Sequence, residues 1–128
     1  MTASSRSGLH VQLAALPDEV PRVRRAVRRW LRSAGNRCDW SIAELLVSEL
    51  VTNALVHALP PLELRVKPLG AHGVRIEVFD AAADRRPTHK AAPLDADGGR
   101  GIEIVAALAS RWGTESAISG KLVWAELD

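Results

Sequence analysis

Three polar side chains, Glu49, Asn53 and His57, interrupt the otherwise apolar stretch SELVTNALVHA between Ser48 and Ala58. They recur every fourth residue, so on a helix turning about 100° per residue they stack on one face. Buried polar groups cost free energy unless they are paired, and such a row therefore calls for solvent or a ligand beside it. A carboxylate there can take a proton from a reacting hydroxyl. A carboxamide oxygen is a hard ligand that Mg²⁺ accepts alongside phosphates and water. The plainer reading is a set of polar residues along the edge of a packed helix, and His57 fits it best, as an edge histidine holding one hydrogen bond.

Two further groups carry chemistry. In RIEVFDAA, Asp80 directly follows a run of alternating apolar residues. A carboxylate at a strand end can accept the exocyclic amino hydrogens of an adenine while apolar walls hold the ring. Its plainer role is to start a turn. In DGGRGIEIV, glycines allow close approach of the backbone to a ligand, and N–H groups at a helix start favour anions. Arg100, between Gly99 and Gly101, adds a charge-assisted contact for a phosphate. Without a ligand the same segment is a flexible helix entry. It is not the dinucleotide-binding glycine pattern, because an irregular loop precedes it instead of a strand.

The elements that must position these groups follow from the periods. Leu9 to Leu16 alternates loosely and suits an edge strand. Between Pro17 and Gly35, Val20, Val23, Val27, Trp30 and Leu31 recur at spacings of three and four, which predicts a helix with one buried face. A second helix begins near CDWSIAELL, with Asp39 or Ser41 as N-cap, and runs through the Glu49 row until Pro60 stops it. LELRVKPL and GVRIEVFD, joined by GAHG, read as a hairpin. The segment from Ala81 to Asp97 has no sustained period and two prolines, and a loop of that length inside a small domain is mobile or functional. GGRG then opens a third helix, IEIVAALASRW, and a closing hairpin forms around GTESAIS and KLVWAELD.

This order predicts an α+β fold, a two-layer α/β sandwich with helices on one face of a mixed, mostly antiparallel sheet. Residues 1–8 are expected to be a flexible N-terminus and residues 9–128 a single domain. The chain has 128 residues, enough for one real core. Its 47% hydrophobic and 25% charged residues are those of a globular protein, and no apolar run reaches membrane-spanning length. MTASSRSG is polar and no apolar stretch of signal-peptide type follows, so export is not expected. The one cysteine, Cys38, suits a reducing cytoplasm. Net charge is only +2, which does not call for nucleic acid.

Taken in order, these features resemble the GHKL nucleotide-binding superfamily: E-x-x-x-N on a helix, a strand ending in Asp, a long loop, G-x-G before a helix, and GKLVWAEL in a final strand. More narrowly, ELLVSELVTNALVHA, GGRGIEIV and GKLVWAEL together resemble the bacterial anti-sigma-factor serine-protein kinases, over about Leu9 to Leu127. The resemblance implies a Bergerat-type ATP-binding fold with ATP and Mg²⁺ as cofactors. Glu49 matches the general base, and Asn53 the Mg²⁺ ligand that ties the metal to the triphosphate. Asp80 matches the carboxylate that reads adenine, and Gly99 and Gly101 the glycines of the loop that closes over the phosphates, with Arg100 between them. Two places depart from the superfamily pattern: Ala82 and Asp84 stand where it often has glycines, and Leu122 where a hydroxyl residue frequently sits.

The implied function is a serine/threonine protein kinase that phosphorylates an anti-anti-sigma partner protein and also engages a sigma factor. The alternative is a nucleotide-gated protein that sequesters a sigma factor or another regulator without phosphorylating it. No direct contact with nucleic acid or membrane is expected, and a homodimer stays open. The run RVRRAVRRWLR offers arginines to phosphates, but its valines and Trp30 occupy one face and leave the arginines as a solvated helix face or a site for acidic proteins.

Overall fold

A computed structural model describes residues 2–5, 7–57, 61–80, 95–117 and 120–128. The chain forms six strands: β1 (Thr2–Ser5), β2 (Gly8–Leu13), β3 (Leu62–Leu69), β4 (Gly73–Asp80), β5 (Arg111–Ala117) and β6 (Gly120–Leu127). They form one sheet in the order β1-β2-β3-β4-β6-β5, and each described pairing is antiparallel. Three helices, α1 (Glu19–Ala34), α2 (Trp40–His57) and α3 (Asp95–Leu108), accompany it. The expected α+β sandwich is the observed one. The sheet carries no parallel pairing among its described strands, where a mixture was expected.

Period two decides the faces of the sheet. Leu64 and Val66 on β3, Ile76 and Val78 on β4, and Val123 and Ala125 on β6 are buried in one core with the helices. The intervening positions form the other face and are largely ion-paired: Arg75 bonds Glu77 at 2.7 Å and Glu126 at 2.8 Å while stacking 4.3 Å from the Trp124 ring centre. Leu46, Val47, Leu50 and Val51 of α2 are almost wholly removed from water. Truncating a leucine of this kind to alanine costs about 2–5 kcal/mol.

The helix boundaries have local causes. Glu19 accepts the Ala14 N–H at 3.0 Å and two bonds from Arg22, which also reaches the Gln12 carbonyl. That knot fastens the end of β2 to the start of α1. Gly35 ends α1 in the left-handed region at φ 65°, and its N–H and that of Asn36 reach back to the Arg32 and Leu31 carbonyls. A side chain would strain this conformation. Asn36 then donates to the Gly73 carbonyl at 3.1 Å and accepts the Cys38 N–H at 2.9 Å. Asp39, not Ser41, caps α2, accepting the Ile42 N–H at 3.1 Å.

The expected limits of β2 and α3 are corrected. Thr2–Ser5, within the segment 1–8 that the sequence reading sets apart as a flexible N-terminus, pair with β2 as β1, because the open backbone edge of β2 offers hydrogen bonds to any extended segment. Consequently β2 is not an edge strand, and it ends at Leu13 instead of Leu16. The third helix starts at Asp95, before the glycines, and stops at Leu108. Acidic residues at 95 and 97 suit the positive end of a helix. Arg111 and Trp112 leave the expected helix for β5, where Arg111 pairs with Glu126 and Asp128. Residues 81–94 of the expected long loop lie outside the described residues.

Candidate active site

The direction of α2 decides where its polar row ends up. Just before it, Asn36 and Arg37 are bonded to Gly73 and Ala71, at the first residue of β4. Just after it, the chain enters β3 at Leu62, which lies directly opposite Asp80, the last residue of β4. Helix α2 packs on β4, and 18 helical residues and 8 extended ones both span about 27 Å. Hence α2 runs from the Gly73 end of β4 to its Asp80 end, and Asn53, in the last two turns of α2, lies toward Asp80.

The sides of α2 are fixed in the same way. Glu44 marks the side that meets α1, where it is ion-paired with Arg28 and, at 3.9 Å, with Arg24. At about 100° per residue, Asn53 stands about 180° from Glu44 and Glu49 about 140°. Since α2 packs against both α1 and α3, Asn53 is on the α3 side, and Glu49 lies between that side and solvent. Both are half-buried. Neither has a hydrogen bond or ion pair to another described residue, in contrast to the paired Glu19, Glu44, Glu63, Glu77 and Glu126.

Electrostatics sets Glu49 apart as well. Burial pushes its carboxyl above the ordinary value, with no opposing hydrogen bond or cation. Glu19 and Glu126 go the other way, held low first by hydrogen bonds from Arg22 and Arg111 respectively. Among the described carboxyl groups with a shifted pKa, Glu49 is the one raised. A half-buried carboxylate with a raised pKa is a stronger proton acceptor than an ordinary glutamate.

Asp80 closes the inward-facing row Val74, Ile76, Val78 and is itself only 9% exposed. Its register neighbours are Leu62 and Lys121. A carboxylate thus stands where the apolar floor under α2 ends. Leu122 pairs with Phe79 on the opposite face, so the hydroxyl missing at Leu122 would have been turned away from Asp80.

Helix α3 brings the glycines to the same end. Its last residues lead through the Ser110 N–H, bonded to the Glu126 carbonyl at 2.7 Å, into β5 beside the far end of β6. Fourteen helical residues reach about 21 Å back from there, toward the end where Lys121 of β6 meets Asp80. Gly99, Arg100 and Gly101, however, fall inside the helix instead of forming an open entry, which corrects the expected loop. Their N–H groups are within the helical ladder, where each glycine costs about 1 kcal/mol relative to alanine. His57 is the last residue of α2, and its side chain lies outside the described residues.

Asn53, Asp80 and the glycine segment, distant in sequence, therefore lie toward one end of the sandwich, with Glu49 one turn of α2 before Asn53, near the middle of the helix. Among the described residues no three His, Cys, Asp or Glu groups stand close enough to cage a metal ion. A divalent cation beside Asn53 would take most of its ligands from phosphates and water, which is how Mg²⁺ is commonly held. Sequence reasoning missed the outward residues flanking Glu49: Leu45, one turn earlier, and Thr52 and Val56 after it, all exposed. Their positions at −4, +3 and +7 were the available signal. It also missed that two arginines of the basic run, Arg24 and Arg28, are spent on Glu44.

A family model described as the histidine kinase-like ATPase domain matches residues 13–126. No curated protein matches the chain. Among solved structures, the RsbU and RsbW domains of Rv1364c from Mycobacterium tuberculosis align with a TM-score of 0.66 and 22% identity, over 94% of this chain and 32% of that one. The histidine kinase domain of the Erythrobacter litoralis EL346 blue-light activated histidine kinase aligns with a TM-score of 0.50 and 18% identity, over 98% of this chain and 64% of that one. The chain thus spans about a third of the first and just under two thirds of the second. At these identities the likeness is one of fold. No helix of the described residues is long and apolar enough to cross a membrane.

Proposed function

The chain belongs to the histidine kinase-like ATPase domain family, and from that premise we propose that it is a cytoplasmic serine/threonine protein kinase of the anti-sigma-factor type, transferring phosphate from ATP to an anti-anti-sigma protein. The observation that carries this reading is the state of Glu49: half-buried, raised in pKa by burial, and unpartnered among the described residues beside Asn53. A glutamate kept only for stability would be paired, as Glu44 is.

In this reading Asp80 accepts the adenine amino group, and Asn53 holds Mg²⁺ against the triphosphate. The metal, when bound, neutralises charge on the phosphate oxygens. Glu49 takes the proton of a partner's serine or threonine as its oxygen attacks the γ-phosphorus. The bond from that phosphorus to the bridging oxygen breaks, and its electrons leave with ADP. The three glycines at 98, 99 and 101 make the first turns of α3 cheap to unwind, which would release backbone N–H groups for the phosphates.

The test is to incubate the purified protein with γ-labelled ATP, Mg²⁺ and a panel of anti-anti-sigma proteins. Label on a serine or threonine of a partner is the expected result. Tight binding of a sigma factor with no label on any partner would instead establish a sequestering protein without kinase activity.

A further inference from the structure

Along β2, β3, β4 and β6 every second residue faces the helices, and that row is apolar almost throughout. Two charged residues break it: Asp80, the last residue of β4, and Lys121, the second residue of β6. They are direct cross-strand partners, so their side chains leave the same face of the sheet with Cβ atoms about 5 Å apart.

Opposite charges so placed would ordinarily form a structural ion pair. Lys121 forms none: it has no hydrogen bond or ion pair to another described residue, although it is half-buried. The lysine and arginines on the solvent side of the sheet are all engaged, Arg65 with Glu63, Lys67 and Arg75 with Glu77, and Arg111 with Glu126. A half-buried ammonium has lost part of its hydration, and here no carboxylate offsets the loss. Lys121 is thus in the position of Glu49, a charge without a protein partner beside the candidate site.

We propose that Lys121 is a second base-reading residue, donating to a ring nitrogen of adenine next to the amino group that Asp80 accepts. The inference rests on the nucleotide reading of Asp80 above and adds to it a residue that reads the base. The exocyclic amino group of adenine is a donor, and the ring nitrogens N1 and N7 on either side of it are acceptors. A carboxylate and an ammonium rooted side by side on one face of the sheet present the complementary acceptor and donor. The lysine stem is flexible and its ammonium carries three rotatable N–H groups, so the charge can turn to a ring nitrogen while β6 holds its root. The triphosphate is left to Asn53 and the start of α3.

Lys121→Met keeps most of the stem and removes the charge. Kd values for ATP, 1-deaza-ATP, 7-deaza-ATP and adenosine are measured for wild type and variant by titration calorimetry, or by displacement of a fluorescent ATP analogue, with Tm of the nucleotide-free proteins alongside. The expected result is a rise in the ATP Kd of roughly ten- to a hundredfold, the loss of one hydrogen bond from a charged donor. Adenosine should weaken by the same factor, with no fall in Tm. In the wild type one of the two deaza analogues should show that loss, which identifies N1 or N7 as the acceptor. In Lys121→Met the same analogue should bind as well as ATP does, a result that a merely structural lysine would not produce. Lys121→Arg keeps a charged donor and should retain most of the affinity. Equal ATP affinity in Lys121→Met and wild type overturns the inference and leaves Asp80 as the reader. A loss for ATP that vanishes for adenosine assigns Lys121 to the phosphates and overturns it as well. A wild-type protein that binds no ATP removes the nucleotide reading, and the inference with it.

Discussion

Replacing Asp80 by asparagine keeps the shape of the side chain and removes its charge, so its effect on nucleotide binding can be worked through. Asp80 is 9% exposed at the end of β4, between Leu62 and Lys121. If it accepts the adenine amino group, the bond is one to a charged acceptor in a partly dry site, a contribution of about 1.5–3 kcal/mol. An asparagine presents its NH₂ where adenine also donates, and the loss corresponds to roughly 10- to 150-fold in Kd. At ATP a thousandfold above Kd, the wild type gains about 4.1 kcal/mol of stability. A 30-fold weaker variant at the same ATP concentration gains about 2 kcal/mol. For a domain of 128 residues, each kcal/mol moves Tm by about 3–5 °C. The wild-type shift of about 12–20 °C should therefore fall by half in Asp80→Asn, read by differential scanning fluorimetry and cross-checked by titration calorimetry. Equal Kd and equal shift in the two proteins would refute adenine recognition by Asp80.

The structure makes three shorter predictions. Because burial raises the Glu49 pKa above 4.5, the folded state binds that proton more tightly than the unfolded one. The penalty of a buried charge is thus absent below about pH 4 and grows as pH rises through the folded value. Glu49→Gln should accordingly be more stable than wild type in urea melts at pH 7.5 and no more stable at pH 4; a gain independent of pH would contradict this. Glu19→Ala strands the Ala14 N–H and the Arg22 guanidinium and should cost about 2–3 kcal/mol by urea midpoint with an unchanged m-value, and a loss below 0.5 kcal/mol would show the knot to be dispensable. The double variant Gly99→Ala, Gly101→Ala should raise Tm without nucleotide, through about 2 kcal/mol of helix propensity, and weaken ATP binding; undiminished affinity would count against unwinding of α3 around the phosphates.

Much of this architecture was legible because it rests on local periodicity. The β3–β4 hairpin, the buried face of α1 and its stop at Gly35 need only the pattern of apolar residues and one glycine. Strand β1 was not legible, since TASS carries no alternation and pairs only because β2 presents an open edge. The start of α3 was hidden for a related reason: three glycines argue against a helix locally, and the cover of α2 over Ile102 and Val105 decides otherwise. The period of four revealed Glu49 and Asn53 as a row. It could not reveal which glutamate was free, because Glu44 is paired through Arg24 and Arg28 of a different helix. That Asp80 shares an end with Asn53 follows from the Asn36–Gly73 bond, which no spacing in the sequence announces.

Phosphotransfer by a Glu49→Gln protein tests the central claim most directly. The measurement is a single-turnover transfer of labelled γ-phosphate to a partner that the wild type phosphorylates, with ATP affinity determined in parallel. A glutamine has the size of glutamate but does not accept the hydroxyl proton. General-base catalysis contributes roughly 10²- to 10⁴-fold, about 3–5 kcal/mol of barrier, so the account predicts a rate reduced by that factor and an ATP Kd within about threefold of wild type. Asn53→Ala should differ by losing Mg²⁺-dependent binding together with turnover. A Glu49→Gln protein that transfers phosphate at the wild-type rate would contradict the assignment of Glu49 as the base.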